Sequence, residues 1–381
     1  MYKIMTPGPT QVSEAVRMAR SLACTNPDLD TDFVEFYKET CELISSLLKT
    51  KNETLILGGE GILGLEAACA TLTEPGDHVL VLDNGLYGRG FADFVSMYGG
   101  IPTIYEASYE ETMDVDALAA YLENNHDFKY ATLVHCDTPS GMLNDISKIC
   151  PLLKQYGILT VVDSVSATFG EPVCVDDFRI DVLCGGSQKA VSAPPGLTFV
   201  VLSTDAKQAM WNRSTPVASF YANLNTFKDY YEKKWFPYTM PISDIYGLRA
   251  AFDQIAADEH LYERHRVIAE ATRQTLTAAG IKLHLKSGFS NTVTVFDIPD
   301  GITADQILDG MKQRGIMLAG SFDDFAGKVI RIGHMGSNAN LPDMVETMRA
   351  LDLVLRDLGV KLEVPLDTFF LERVNSVEHN L

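Results

Sequence analysis

The chain has 381 residues, and 46% of them are hydrophobic. That composition fills more apolar core than a single domain usually holds, so we predict two domains. Asp and Glu number 51 against 31 Lys and Arg, a net charge of −20, and the resulting field repels phosphate groups, which argues against nucleic acid and membrane surfaces as partners.

No pattern in the sequence indicates export, a membrane span or a metal. No run of about 18 apolar residues occurs, and the first nine residues lack the apolar core of a signal peptide. The seven cysteines are scattered and form no Cys-x-x-Cys motif, which is typical of thiols in a reducing compartment. We therefore predict a cytoplasmic protein without a metal site.

The first half of the chain alternates between strand and helix patterns. A helix is predicted at 31–49 from apolar residues at helical spacing. The predicted strands follow at 54–57, 78–82, 102–105, 130–135, 158–162, 181–184 and 197–202, and helices at 62–73, 89–98, 115–124 and 146–156 lie after the first four strands. Such alternation predicts an α/β fold with a mainly parallel sheet, in which ligands bind at the carboxyl ends of the strands.

The segment 213–241 has no regular pattern but is rich in aromatic residues. It either packs as a loop on its own domain or crosses a dimer interface, where aromatic residues concentrate. The sequence does not decide between the two.

The rest of the chain predicts a smaller α+β domain. Helical patterns occupy 243–280, 303–314 and 341–358, strand patterns occupy 291–297 and 328–333, and the tail 362–381 shows no distinctive pattern. We place the large, cofactor-binding domain at 14–245 and the small domain at 246–381, with residues 1–13 packing nearby.

Two predicted buried strands are followed by residues with opposite chargeable groups. Asp163 follows the apolar run 158–162, and Lys189 follows the run 181–184 through a Gly-Gly-Ser-Gln turn. The strand ends meet at one edge of the sheet, so the pattern brings an acid and an amine together. A pyridoxal-type cofactor needs both, the amine for a Schiff base and the carboxylate for the pyridine nitrogen. We predict Lys189 and Asp163 as catalytic residues.

A glycine turn after the first strand of the sheet offers an anion site. Gly59, Gly61 and Gly64 form a G-x-G-x-x-G pattern that leads into the helix 62–73, where free N–H groups would face an anion. With Asp83 at the end of the next strand, the spacing also fits an NAD-dependent dehydrogenase. A plain tight turn is the third interpretation.

Glu60 lies inside this turn and bears on the choice of ligand. A carboxylate repels a phosphate dianion by about 1 kcal/mol per pair of unit charges in water, and by more in a desolvated site. It would suit a ligand that offers a hydroxyl group. Alternatively, Glu60 points to solvent or caps the following helix, where its charge is favourable.

Eight segments together resemble the class V branch of the fold-type-I aminotransferases, and the resemblance covers nearly the whole chain. They are MTPGPT at 5–10, LEAA at 65–68, NGLYG at 84–88, HCDTPSG at 135–141, VDSVS at 162–166, GSQKA at 186–190, APPG at 193–196 and RIGHMG at 331–336. The resemblance implies an aminotransferase with pyridoxal 5′-phosphate and a mixed, mainly parallel seven-stranded sheet. It leaves the dehydrogenase as a minor alternative.

The resemblance also implies roles for residues of the cofactor site. Lys189 would carry the Schiff base and move the substrate proton, and Asp163 would keep the pyridine nitrogen protonated. The implied cofactor-binding set within one subunit is Gly59, Glu60, Gly61, Ile62, Tyr87, Thr138, Asp163, Val165, Gln188 and Lys189.

Further residues are implied in subunit contact and substrate binding. Phe236, Tyr238 and Thr239 would reach the cofactor of a neighbouring subunit, so a homodimer with active sites at the interface is expected. Arg331 would bind the substrate carboxylate through a bidentate fork.

Two branches of the family stay open, both moving an amino group to a small 2-oxo acid such as pyruvate or glyoxylate. Glu60 falls where pyridoxamine–pyruvate transaminases have a glutamate that receives the 5′-hydroxyl of unphosphorylated pyridoxal, and this branch is our specific prediction. The alternative is an alanine–glyoxylate or serine–glyoxylate type with tightly bound pyridoxal phosphate. Gly61 keeps an amide N–H that proline removes in the first branch. That branch also has a second arginine, where this chain reads Gly320-Ser321-Phe322.

Overall fold

The computed structural model describes residues 2–379, so Met1, Asn380 and Leu381 of the predicted domain ranges lie outside the described residues. The strands are β1 (Lys3–Ile4), β2 (Glu53–Gly58), β3 (His78–Asp83), β4 (Ile101–Glu106), β5 (Tyr130–Val134), β6 (Cys136–Asp137), β7 (Met142–Leu143), β8 (Leu159–Asp163), β9 (Val182–Gly186), β10 (Leu197–Leu202), β11 (Val293–Asp297), β12 (Ile316–Met317) and β13 (Val329–Gly333).

Helices separate the strands from β2 to β5, and they predominate after β10. They are α1 (Glu14–Ala19), α2 (Thr31–Leu47), α3 (Gly61–Leu72), α4 (Leu86–Met97), α5 (Val115–Leu122), α6 (Ile146–Gln155), α7 (Thr204–Trp211), α8 (Tyr230–Lys233), α9 (Ile242–Ala257), α10 (Leu261–Ala278), α11 (Ala304–Gln313), α12 (Leu341–Asp357) and α13 (Leu366–His379). Among the described residues, no helix combines the length and the apolar character that crossing a bilayer requires.

The main sheet has seven strands in the order β2-β10-β9-β8-β5-β3-β4. β10 pairs antiparallel with β2 and β9, and the other neighbouring strands run parallel. The prediction of a mixed, mainly parallel seven-stranded sheet in an α/β fold is therefore confirmed.

Burial explains why the apolar runs form these strands. Every residue of β5, β9 and β10 is buried, as expected for strands covered on both faces. β8 ends at Asp163, and its parallel neighbour β9 leads into the turn that carries Lys189. The acid and the amine thus follow the carboxyl ends of adjacent parallel strands.

Two helical regions differ from the sequence prediction. The stretch 243–280 is two helices, α9 and α10, because the backbone turns to an extended conformation at Asp258. The tail forms α13, whose buried residues Leu366, Phe370 and Val374 recur every four positions and face the second apolar cluster. That period was present in the sequence and was missed.

Two apolar clusters fill the interior. The larger cluster packs the main sheet against its helices. The smaller cluster packs helices α10, α11, α12 and α13 against strands β11 and β13. Pairing of β1 with β12 brings the N-terminal residues onto the smaller cluster, where Met5 is buried. Helix α9 crosses the predicted boundary at 245/246 with its buried side chains in the larger cluster, and the domain division stays a prediction.

Candidate active site

A cavity of about 320 Å³ opens beyond the carboxyl ends of β2, β8 and β9. Its wall contains nine residues of the predicted cofactor site, namely Glu60, Gly61, Ile62, Tyr87, Thr138, Asp163, Val165, Gln188 and Lys189, together with Gly8, Pro9, Leu65, Ser166 and Pro195. Its volume is at the small end of ligand pockets and suits one aromatic ring with short substituents. The predicted site residues outside this wall are Gly59, Phe236, Tyr238, Thr239 and Arg331.

Lys189 has the surroundings of a reactive amine. Its Nζ donates a hydrogen bond to the carbonyl oxygen of Pro7 at 2.8 Å. Gly8 has a φ of +104°, which favours glycine, and a Cβ atom there would lie 2.5–2.7 Å from the outer atoms of the Lys189 side chain and displace them. Burial, reinforced by the Arg331 guanidinium and opposed by the Asp163 carboxylate, lowers the pKa of Lys189 to about 8. An appreciable share of the amine is therefore neutral near pH 7, as a nucleophile requires.

Asp163 provides a buried carboxylate at the end of β8. Its Oδ1 accepts a hydrogen bond from the N–H of Val165 at 2.9 Å. Burial nevertheless raises the pKa of Asp163 to about 7, against the lowering effects of that hydrogen bond and of Lys189. A poorly solvated carboxylate is stabilised in its charged form by a cation beside it, and a protonated pyridine nitrogen is such a cation.

Glu60 caps helix α3 and also forms part of the cavity wall. Its Oε1 accepts a hydrogen bond from the N–H of Ile62 at 3.2 Å, and its Oε2 accepts one from Nε2 of Gln188 at 2.9 Å. The cap is one of the interpretations that the sequence left open. The structure combines it with a position at the cavity, so a ligand that approaches the start of α3 meets a carboxylate.

The glycine pattern of the turn reflects close packing of α3 on the sheet. A Cβ atom on Gly64 would lie 2.4 Å from Oγ1 of Thr198 on β10. Asp83, which a dinucleotide would need for its ribose, is buried, and its Oδ1 accepts a hydrogen bond from the Tyr109 hydroxyl at 2.5 Å. The residues that suggested a dehydrogenase are therefore engaged within the fold.

Asp137 positions Tyr87, a role that the sequence analysis missed. Its Oδ1 accepts the N–H of Tyr87 at 3.1 Å, and its Oδ2 accepts the hydroxyl of Ser140 at 2.7 Å. A Cβ atom on Gly85 would lie 2.3 Å from Cγ of Asp137, so glycine allows α4 to begin directly against this carboxylate. Burial raises the pKa of Asp137 despite these bonds. Its place at a strand end within a polar turn was the available signal.

Arg331 lies on β13 beside the cavity. Its Nε donates to the carbonyl of Gly320 at 2.6 Å and its Nη1 to the carbonyl of Thr138 at 3.3 Å. Its Nη2 has no hydrogen-bond partner among residues 2–379. The Phe322 ring lies 5.7 Å from the guanidinium carbon and 6.2 Å, edge-on, from the Tyr87 ring. One edge of the guanidinium is thus available to a carboxylate next to an aromatic wall.

Because the resemblance implies that Arg331 binds the substrate carboxylate, Arg331→Lys is expected to raise KM for that substrate about 10- to 100-fold and to change kcat less. Lysine retains the charge but loses the planar fork, and charged hydrogen bonds contribute about 1.5–3 kcal/mol each. Steady-state kinetics with the carboxylate substrate varied measure the effect, with Arg314→Lys as the control because Arg314 pairs with Asp357 on the surface. An unchanged KM would mean that Arg331 only supports the fold.

The residues predicted to reach a neighbouring subunit make contacts within their own chain. Phe236 is buried in the larger cluster, and Tyr238 stacks on Tyr221 with 4.6 Å between ring centroids. Thr239 donates a hydrogen bond to Oδ2 of Asp28 at 3.1 Å. The segment 213–241 therefore packs in part on its own domain, and its reach into a second subunit stays a prediction.

A lysine amine of lowered pKa and a buried carboxylate, at the carboxyl ends of adjacent strands in a mixed sheet, are the two groups that a pyridoxal-type cofactor requires. The family description "Aminotransferase class-V" matches residues 9–321 of the chain. The protein belongs to the class V aminotransferases, a family of transferases that use pyridoxal 5′-phosphate. The dehydrogenase alternative is wrong.

Two related proteins align with most of the chain. An uncharacterized aminotransferase of Methanocaldococcus jannaschii is 33% identical over 94% of this chain and 94% of its own length. The pyridoxamine–pyruvate transaminase of Mesorhizobium japonicum is 32% identical over 88% of this chain and 87% of its own.

Solved structures show the same architecture. The pyridoxamine–pyruvate aminotransferase from Mesorhizobium loti superimposes with a TM-score of 0.93 at 30% identity and covers 99% of this chain and 97% of its own. The ureidoglycine–glyoxylate aminotransferase from Bacillus subtilis gives a TM-score of 0.94 at 28% identity, with 100% of this chain and 98% of its own covered. These similarities identify the reaction type and leave the substrates open.

Proposed function

We propose that this aminotransferase moves the amino group of pyridoxamine to pyruvate and that it binds the unphosphorylated vitamin as a substrate. The main support for this proposal is the carboxylate of Glu60 at the start of α3, which accepts hydrogen bonds from Ile62 and Gln188. The relatives named as pyridoxamine–pyruvate transaminases support the same choice.

Charge at the start of α3 distinguishes the two forms of the ligand. A helix N-terminus normally attracts a phosphate through its free N–H groups. Here one of them, on Ile62, already donates to Glu60. A phosphate dianion next to that carboxylate would experience repulsion of about 4 kcal/mol per unit-charge pair at 4 Å with an effective dielectric constant of 20. A 5′-hydroxyl group would instead donate a hydrogen bond to the carboxylate.

The residues around the cavity fit a pyridoxal ring. Asp163 offers its carboxylate to the pyridine nitrogen, and Tyr87 offers an aromatic face in the cavity wall. When bound, the ring supplies an electron sink for the substrate carbon. The amine of Lys189 would hold the pyridoxal form of the ring and, as a free amine, would move the proton at the substrate carbon. Arg331 orients the carboxylate of the 2-oxo acid.

An alternative is an alanine–glyoxylate or serine–glyoxylate aminotransferase with tightly bound pyridoxal phosphate. The observation in its favour is the N–H of Gly61, the first residue of α3, which has no hydrogen-bond partner within the described part of the chain. That N–H remains available to a phosphate oxygen.

Glu60→Ala is expected to reverse the ligand preference. Affinity for pyridoxal phosphate should rise about tenfold or more because the repulsion disappears, and affinity for pyridoxal should fall about threefold to tenfold because one charged hydrogen bond is lost. Titration of the cofactor-free enzyme with each compound, followed by absorbance, measures both. The loss of the helix cap affects the two ligands alike, and Glu60→Gln, which keeps a capping oxygen, controls for it.

The wild-type enzyme provides the test of the function itself. With pyridoxamine and pyruvate it should form pyridoxal and alanine. Tight co-purification of pyridoxal phosphate together with no turnover of pyridoxamine would reject the proposal in favour of the alternative.

We further propose a cytoplasmic homodimer with active sites at the subunit interface. The segment with Phe236, Tyr238 and Thr239 is flanked by three aromatic side chains, Phe220, Tyr221 and Trp235, that are 60%, 56% and 60% exposed. Such exposure of large aromatic residues is typical of a protein–protein interface.

A further inference from the structure

We infer that Gln188 is a positioning residue that holds Glu60 against the start of α3, so that the pair selects the unphosphorylated ligand. The inference rests on the proposed function and extends it to a second residue. Gln188 directly precedes Lys189, so the turn that carries the reactive amine also carries the side chain that holds Glu60.

Both oxygens of Glu60 are engaged, each by a different structural element. Oε1 accepts the N–H of Ile62 at 3.2 Å, and Oε2 accepts Nε2 of Gln188 at 2.9 Å. Ile62 belongs to α3, and Gln188 belongs to the turn after β9. Although Glu60 itself is exposed, these two contacts fix the direction of its carboxylate.

The amide of Gln188 has one favourable orientation. Gln188 is 7% exposed, and its Oε1 is buried without a hydrogen-bond partner among the described residues. Rotating the amide by 180° would turn Oε1 toward Oε2 of Glu60, which sets two acceptors against each other, and would leave a donor buried and unpaired. Glu60 therefore determines the orientation of the Gln188 amide. The hydrogen bond to Glu60 offsets the cost of leaving Gln188 Oε1 without a partner.

The turn that carries Gln188 is itself fixed. The backbone carbonyl of Gln188 accepts a hydrogen bond from the N–H of Thr10 at 3.1 Å, and the hydroxyl of Ser187 donates one to the carbonyl of Pro194 at 2.6 Å. The side chain thus projects from an anchored backbone. In this arrangement one of the two N–H groups of Gln188 Nε2 donates to Glu60, and that group is withheld from a phosphate.

If Gln188 and Glu60 act together, Gln188→Ala should change the affinity for pyridoxal phosphate in opposite directions with and without Glu60. In the wild-type background, Gln188→Ala frees Glu60 to turn toward solvent, so affinity for pyridoxal phosphate should rise about threefold to tenfold. In the Glu60→Ala background, the amide of Gln188 is free to donate to the phosphate, so the same substitution should lower that affinity about threefold to tenfold.

The experiment titrates the cofactor-free forms of the wild type, both single variants and the double variant with pyridoxal, with pyridoxal phosphate and with inorganic phosphate. Inorganic phosphate isolates the anion site from the ring and from Lys189. Gln188→Met serves as a second variant, since it keeps the side-chain volume and removes the donor. It should repeat the result of Gln188→Ala in both backgrounds.

The outcomes separate the inference from the proposed function. The inference is supported if replacing Gln188 raises the affinity for pyridoxal phosphate in the wild-type background and lowers it in the Glu60→Ala background. If Glu60→Ala shifts the ligand preference but Gln188→Ala and Gln188→Met act with the same sign in both backgrounds, the inference is overturned and the proposed function stands. If Glu60→Ala alone leaves the ligand preference unchanged, the inference is overturned, and turnover of pyridoxamine by the wild type still decides the proposed function.

Discussion

Lys189→Ala is expected to lower kcat for transamination by a factor on the order of 10⁴ or more, since it removes the residue that we propose both to bond to the cofactor and to move the proton. Burial lowers the pKa of its amine to about 8, and Pro7 fixes its position through the 2.8 Å hydrogen bond. A neighbouring lysine is not available as a substitute, because Lys189 is the one lysine in the described wall of the cavity.

Borohydride trapping tests this expectation independently of turnover. After addition of pyridoxal, reduction should fix the vitamin on the wild-type chain at Lys189, as read by peptide mass, and should leave Lys189→Ala unlabelled. Lys286→Ala is the matched control, because Lys286 is 66% exposed in a surface ion pair with Glu110. Labelling of another residue in the wild type would contradict the role of Lys189.

The pH dependence of condensation follows from the same shift. The pKa of Lys189 is about 8, so below that pH the protonated amine predominates, and it is not a nucleophile. The rate of Schiff-base formation in the cofactor-free enzyme should therefore fall about tenfold per pH unit below 8 and level off above it. A stopped-flow series with pyridoxal across this range measures the profile.

The placement of Lys189 and Asp163 could be predicted because it depends on a simple rule. Each residue follows a short apolar run, and adjacent parallel strands in an α/β sheet end at the same edge. The run lengths were enough to identify β8 and β9. The identity of the reaction required more, because many α/β proteins carry an acid and an amine at that edge.

Contacts between distant segments could not be predicted in the same way. Asp137 fixes the start of α4 through the N–H of Tyr87, 50 residues away, and Gln188 donates to Glu60 across 128 residues. Local periodicity does not encode such pairs. From the sequence, Glu60 could cap α3 or face a ligand. The structure shows the cap, the bond to Gln188 and a place in the cavity wall.

Asp163→Asn is expected to lower kcat by about 10²- to 10³-fold with little change in the fold. Asparagine has the same shape and can still accept the N–H of Val165, the bond that holds Asp163 at 2.9 Å. It lacks the negative charge that would keep the pyridine nitrogen protonated, and the ring then withdraws electrons less strongly. The estimate corresponds to about 3–4 kcal/mol of lost electrostatic stabilisation in a poorly solvated site.

The role of the Asp163 charge has a direct chemical test. Pyridoxal methylated on its ring nitrogen carries a permanent positive charge, so it should restore part of the lost rate in Asp163→Asn and give the wild type no advantage. The pH dependence provides a second check. The pKa of Asp163 is raised to about 7, so in the wild type the carboxyl is neutral below that pH, and affinity for ring-protonated pyridoxamine should weaken as the pH falls. Asp163→Asn should lack this dependence. Equal rescue of both proteins by the methylated ring would show that Asp163 serves the fold rather than the charge of the ring.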